Sequence, residues 1–91
     1  MYILLCGDGS YYTGSTRNLE RRLHQHQNEE GAIHTKMHQP VELVYKEEFT
    51  RIDHAFYREK QIQRWSHEKK KALIEGRFDE LKKRAKKKFV R

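Results

Sequence analysis

The segment YILLCGDGSYYTG, residues 2–14, constrains the fold most, because it gives the chain little choice but to turn back on itself. Two short runs of aromatic and apolar residues, 2–6 and 11–14, flank Gly-Asp-Gly-Ser, which contains the Asp-Gly signal of a β-hairpin. Side chains alternate along a strand, so Tyr2, Leu4 and Cys6 share a face. Loop length decides what stands opposite them. A two-residue turn at Asp8-Gly9 pairs Cys6 with Tyr11 and points Tyr12 away from Tyr2. A three-residue loop, Gly7-Asp8-Gly9 with Gly9 left-handed, pairs Leu4 with Tyr12 and returns both tyrosines to one face. Spacing alone leaves the two parities open.

Downstream, a helix from about Arg17 to Gln27 capped by Thr16 puts Leu19, Arg22, Leu23 and His26 on one stripe, at the i, i+3, i+4, i+7 spacing of a buried face. QNEEGA breaks that helix, with Gly31 as the turn residue, and HTKMHQP reads as a loop ending at Pro40. VELVYKEEF alternates Val41, Leu43 and Tyr45 against Glu42, Val44 and Lys46, which predicts a third strand with one buried face. TRID matches a capping box, with Thr50 as N-cap and Asp53 three residues on, and opens a helix running to about Trp65. Ser66 caps a short helix ending near Gly76. The order β-β-α-β-α-α predicts an α+β domain, a small three-stranded and mainly antiparallel sheet flanked by helices, over residues 1–75. Residues 76–91 form a basic tail, either a further helix with Phe78, Leu81, Ala85 and Phe89 on one side or a disordered segment.

At 91 residues the chain is one domain with a modest core. No run approaches the roughly 20 apolar residues of a membrane span, and no signal-peptide pattern opens the chain. The single cysteine, Cys6, lies in an apolar run and reads as a reduced core thiol, which points to the cytoplasm. A monomer is the default expectation, with no membrane partner. The net charge of +7 is unevenly placed: residues 64–91 hold 12 Lys/Arg against 4 Asp/Glu, whereas residues 1–63 hold 8 against 9. A positive field confined to the last third is the footprint of a polyanion binder, nucleic acid above all, although a solvated lysine-rich helix has the same composition.

Two of the four stripe residues on the first helix can carry charge, and the next long helix repeats the oddity. Ile52, Ala55, Phe56, Ile62 and Gln63 lie around one face at helical spacing, with Glu59 at its centre. An unpaired carboxylate inside a core is too costly to persist. A buried Arg22–Glu59 ion pair is the plain structural reading. His26 beside Arg22 counts against it, because a simple ion pair needs no imidazole, and three converging polar side chains suit a cleft.

The run YILLCGDGSYYTGSTRNLERRLHQH resembles the GIY-YIG nuclease domain, in particular its small single-domain bacterial members. Tyr2 stands at the tyrosine of the first half-motif, and Tyr12-Thr13-Gly14 stands as the second. Arg22 matches the family's helix arginine, His26 the residue one turn later, and Glu59 in REKQIQRW the metal-ligand glutamate. The likeness spans residues 1 to about 75. The chain departs from the pattern in lacking Gly-Ile ahead of Tyr2 and in having no asparagine after Asn28. The resemblance implies a metal-dependent endonuclease acting on phosphodiester bonds of nucleic acid, DNA in preference to RNA, in repair or recombination. Glu59 would hold one divalent ion, Mg²⁺ or Mn²⁺, and Arg22 would bridge phosphate oxygens. Tyr12 would be the base, with Arg22 and the ion lowering its pKa or His26 taking its proton, and Tyr2 would orient water or Tyr12. The five side chains are expected to line one concave surface. In the tail, Lys82, Lys83, Arg84, Lys86, Lys87 and Lys88 are the expected contacts to nucleic acid. The alternative is a non-catalytic nucleic-acid-binding module with the same fold. A zinc site from His24, His26, His34 and His38 is set aside, since Gly31 and Pro40 hem His34 and His38 into a loop and the chain has only one cysteine.

Overall fold

The computed structural model describes residues 1–28 and 30–76. Its first two strands, β1 (Tyr2–Leu5) and β2 (Tyr11–Gly14), form the hairpin, and Leu4 stands opposite Tyr12. The Cys6 N–H donates to the Ser10 carbonyl at 2.9 Å and the Gly9 N–H to the Cys6 carbonyl at 2.9 Å, which leaves Gly7, Asp8 and Gly9 as the loop. Gly9 has φ of +86°, a region open to a residue without a Cβ. This three-residue loop resolves the parity: Tyr2 and Tyr12 share a face.

The strand β3 (Glu42–Lys46) pairs antiparallel with the other edge of β1, giving the order β2-β1-β3. Its register slips by one residue between Ile3 and Leu4. The slip changes the expected alternation. Val41 and Leu43 pack beside Tyr2, Leu4 and Cys6, whereas Tyr45 joins Val44 against Met1 and Ile3 on the opposite face. A bulge places one extra residue against its partner strand, and every side chain beyond it changes sides.

Four helices complete the described chain: α1 (Leu19–Gln27), α2 (Ile33–Met37), α3 (Ile52–Gln63) and α4 (His67–Ile74). Leu19 and Leu23 of α1 cover the Tyr2, Leu4, Cys6 face, while Ile62 of α3 and Leu73 of α4 cover the Met1, Ile3 face. The sheet is therefore filled on both sides. Ile3, Leu4 and Ile62 are fully buried, each worth roughly 1.5–3 kcal/mol of transfer free energy.

The short helix α2 stands where the sequence reads as a loop. Tertiary bonds account for it: the Gln39 side-chain amide donates both to the His26 carbonyl at 2.6 Å and to the Thr35 carbonyl at 2.7 Å, tying α2 to the end of α1. Two caps also differ from expectation. Asn18, not Thr16, caps α1 by accepting from the Arg21 N–H at 3.0 Å, and Thr16 instead accepts from the Asn18 N–H. Arg51, whose side chain has no acceptor, takes the N-cap position of α3 without a side-chain cap bond, and Asp53 accepts from the Arg51 guanidinium. Ser66 caps α4 as expected. On α3, Ala55, Glu59 and Ile62 are buried, but Phe56 faces outward beneath the Lys60 ammonium. No described helix is long and apolar enough to cross a membrane. The tail and its six expected contact residues lie outside the described residues.

Candidate active site

Four of the five singled-out side chains gather on the α1 face of the sheet. The Tyr2 and Tyr12 rings lie 6.5 Å apart, and the His26 ring is 5.8 Å from Tyr2 and 5.1 Å from Tyr12. Arg22, half-buried one turn before His26, brings its guanidinium to the hydroxyls of both tyrosines, and Gln25 accepts from its Nη1 at 3.0 Å. The odd-numbered hairpin loop makes this cluster, since it is what puts the two phenols on one face.

Protons within the cluster can be assigned by counting donors. The Thr35 hydroxyl has one hydrogen and donates it to the Ala32 carbonyl at 2.9 Å. At 2.8 Å from His26 Nδ1 it can therefore only accept, so Nδ1 carries a proton. Burial, with the Arg22 charge second, pushes the His26 pKa down to about 4, so the ring is neutral at pH 7 and Nε2 bears a lone pair. The Tyr2 hydroxyl, 2.9 Å away, is then the donor to Nε2. A single tautomer satisfies the whole chain from Tyr2 through His26 and Thr35 to Ala32. Burial raises the Tyr2 pKa while the Arg22 hydrogen bond opposes the rise. Tyr2 is thus held as a protonated donor with its oxygen lone pairs left for Arg22.

Glu59 reaches the cluster from the other layer. The residue is 8 % exposed; Oε1 accepts from the Ser15 hydroxyl at 2.6 Å and Oε2 from the Gln63 amide at 2.8 Å, with the Lys60 ammonium at 3.6 Å. Ser15 follows Gly14, and Gly14 is the meeting point. A Cβ there would fall 2.5 Å from the Tyr2 hydroxyl oxygen, so only a glycine lets the Tyr2 phenol lie across the end of β2 next to the residue that holds Glu59. Arg22 and Glu59 leave from helices on opposite faces, and their charges meet in one field at the Tyr2 hydroxyl, where Arg22 favours the phenolate and Glu59 disfavours it. The expected single concave surface is not what the five form. An open groove of about 980 Å³ runs beside the cluster, and of the five only Tyr2 lines it; its lining mixes Arg17, Lys46 and Arg51 with Glu47, Glu48 and Asp53.

Glu59 suits one hard cation. It is an all-oxygen donor fixed in place by two neutral partners, and these occupy two of the roughly four acceptor sites of a carboxylate. Sequence reasoning missed the residues that support the set. Thr35 lies in the stretch read as a loop, and Ser15 serves Glu59 from a position that no periodicity marks, its adjacency to the YTG motif being the one signal; Gln63 was placed on the Glu59 face by helical spacing but not as its partner.

An arginine on the same face as two phenols, with a buried carboxylate at the same strand end, is an arrangement whose chemistry can receive an anion such as a phosphate. Comparison with known proteins supplies the family. The GIY-YIG catalytic domain profile matches residues 1–72, and this chain belongs to the GIY-YIG family, whose domains are generally nucleases that use a divalent metal. The chain is 45 % identical over 74 residues to a UPF0213 protein of Staphylococcus saprophyticus, a match covering 81 % of this chain and 90 % of the relative. It is 40 % identical over 75 residues to a UPF0213 protein of Staphylococcus epidermidis, covering 82 % and 92 %, and 39 % identical over 77 residues to one of Staphylococcus aureus, covering 85 % and 94 %. No solved structure gives a significant match.

Proposed function

We propose that this chain is a metal-dependent endonuclease-like domain that hydrolyses phosphodiester bonds in nucleic acid, DNA in preference to RNA. The observation that carries the reading is the gathering of Tyr2, Tyr12 and His26 within 6.5 Å of one another on the sheet face that α1 covers, with Arg22 one helical turn before His26. Arginine presents a fixed fork of donors that matches two oxygens of one phosphate, and it stays charged at any working pH.

The two tyrosines divide the work. Tyr2 is 2 % exposed and donates to His26, so it keeps its proton and positions Arg22. Tyr12 is half-buried with access to solvent, which leaves it the phenol that can meet a water. As phenolate, Tyr12 takes the proton of an attacking water while the water oxygen bonds to phosphorus. The P–O bond to the leaving oxygen breaks, and that oxygen takes a proton from solvent. Arg22 stabilises the charge that builds on the non-bridging oxygens. His26 does not take the Tyr12 proton in this scheme, because its free nitrogen is engaged by Tyr2. Glu59 would hold a divalent ion of the Mg²⁺ kind, which when bound would supply positive charge to offset the negative charge of the reaction.

A Mg²⁺-dependent nicking assay on plasmid DNA tests the reading, with Glu59→Ala as its partner. Cleavage by the wild type, lost in Glu59→Ala while DNA affinity is kept, is the expected result. Binding without cleavage in both returns the chain to the binding-module alternative. The basic residues beyond Gly76 carry most of the affinity in this reading. If about four of them reach phosphates, log affinity falls against log salt with a slope near −3.6, and deleting residues 77–91 flattens it.

A further inference from the structure

We propose that Asp8, His34 and His38 form a metal site separate from Glu59, for a borderline divalent ion of the Zn²⁺ kind, which clamps the hairpin loop to α2. This goes beyond the nuclease reading and does not rest on it. One ligand atom from each residue lies within 4.8 Å of the others, so the three close around a single point. His38 Nε2 stands 3.4 Å from Asp8 Oδ2. That is the ligand-to-ligand edge of a tetrahedron with bonds of about 2.0–2.1 Å, as Zn²⁺ makes to nitrogen and oxygen.

The surroundings prepare both atoms. His38 Nδ1 is 2.7 Å from the His34 carbonyl, which can only accept, so the neutral ring carries its proton on Nδ1 and turns the Nε2 lone pair to Asp8. An outer bond from Nδ1 to a backbone carbonyl is the usual support of a metal-ligating histidine. The other carboxylate oxygen, Asp8 Oδ1, is occupied by the Ser10 N–H at 3.0 Å and the Ser10 hydroxyl at 2.6 Å, which leaves Oδ2 facing His38. Ser10 Oγ also lies 2.8 Å from His34 Nε2, and the His34 and His38 rings are 4.5 Å apart. Two lone pairs therefore face each other, and something positive belongs between them. A proton on His38 would account for two of the residues; a metal ion accounts for all three.

The donor set chooses the ion. Two imidazoles and one carboxylate suit Zn²⁺, Co²⁺ or Ni²⁺, whereas Mg²⁺ takes oxygen ligands. Three protein ligands leave a fourth position for water. The ion would join the loop that sets the tyrosine parity to the helix that carries Thr35, and the His34 ring already stacks on Tyr12 at 6.2 Å. The sequence offered His34 and His38 as zinc ligands but with the wrong partners, His24 and His26 in place of Asp8, and the loop assigned to them is helix α2.

Calorimetric titration of chelator-treated protein with Zn²⁺, together with the visible spectrum after Co²⁺ addition, tests the site without any nucleic acid. One equivalent bound, a tetrahedral Co²⁺ spectrum and a raised melting temperature are expected. Asp8→Asn and His38→Gln should each weaken binding at least about tenfold and remove the thermal gain, while His67→Gln on α4 leaves both intact. Binding unaffected by Asp8→Asn and His38→Gln, several weak equivalents, or no binding at all overturns the proposal. The Asp8 side chain is 41 % exposed in a surface loop, so Asp8→Asn keeps the test readable if His38→Gln disturbs folding.

Discussion

The two faces of the three-stranded sheet are built to different rules. Under α3 and α4, Ile3, Ile62 and Leu73 are sealed from water with Met1, Tyr45 and Trp65 around them, and apolar packing dominates, with Glu59 as the buried charged exception. Under α1 and α2, the buried set includes Tyr2, His26 and Thr35, whose polar atoms are matched bond for bond. A side chain on the apolar face can be exchanged for another of similar volume at modest cost. A member of the polar chain cannot, since removing one partner leaves a buried donor or acceptor unmade. The contrast separates stability from chemistry: the apolar face holds the fold, and the polar face fixes the protonation state and direction of the groups around Arg22.

A crossed pair of variants gives this contrast its hardest test. Arg22→Ala, at a half-buried position, should lower the single-turnover cleavage rate by on the order of 10³-fold and leave the melting temperature nearly unchanged. Ile62→Ala should do the opposite, losing about 2–5 kcal/mol of unfolding free energy while the rate per folded molecule stays the same. If Ile62→Ala slows cleavage as much as Arg22→Ala does, the division between the faces fails.

Thr35→Val sharpens the comparison within the polar face. It keeps the shape of Thr35 and removes the acceptor from His26 Nδ1, so denaturant unfolding should report a loss of about 1–3 kcal/mol. Because the bare Nε2 would no longer be specified for Tyr2, kcat should also fall, by about tenfold, with KM little changed. Thr35→Ser should restore both. A stability loss without a rate change would make Thr35 a packing residue only.

The last contrast concerns acid. His26 titrates near 4 in the fold, below the ordinary imidazole value of about 6.5. Between those values the unfolded chain holds the proton and the native chain does not, so stability contributed by neutral His26 is complete above about pH 6.5 and is lost as pH falls toward 4. The slope should approach about 1.4 kcal/mol per pH unit in that window. Urea melts from pH 7 to pH 4 should show it in the wild type and not in His26→Gln. An equal slope in that variant would assign the acid sensitivity to other groups.

Local pattern was enough for much of the architecture. Apolar runs around Gly-Asp-Gly read as a hairpin, the stripe through Leu19, Leu23 and His26 read as a helix face, and Glu59 was visible as a carboxylate centred between Ala55 and Ile62. Spacing narrowed the hairpin to two parities; the three-residue loop with Gly9 at φ +86° selected one. The α2 helix escaped notice because its stability comes from Gln39 and Thr35 bonding across to α1, and no local periodicity records such bonds. The exchange of Tyr45 to the Ile3 face escaped for the same reason, as a register slip belongs to the pair of strands and not to either one.

By itself, then, the sequence determined which residues carry charge into buried stripes, since burial periodicity and ionisable chemistry are both written in the order of side chains. Only the tertiary structure decided which partner each of them meets. His26 could have served Tyr12, Arg22 or a metal; it serves Tyr2, because Thr35 on a helix without local signature holds the other nitrogen. His34 and His38 could have lain in a loop, and instead one turn of helix aims them at Asp8. Hydrogen bonds and coordination depend on distances of about 3 Å between residues far apart in the chain, and that proximity arises only when the sheet and its two helical layers close.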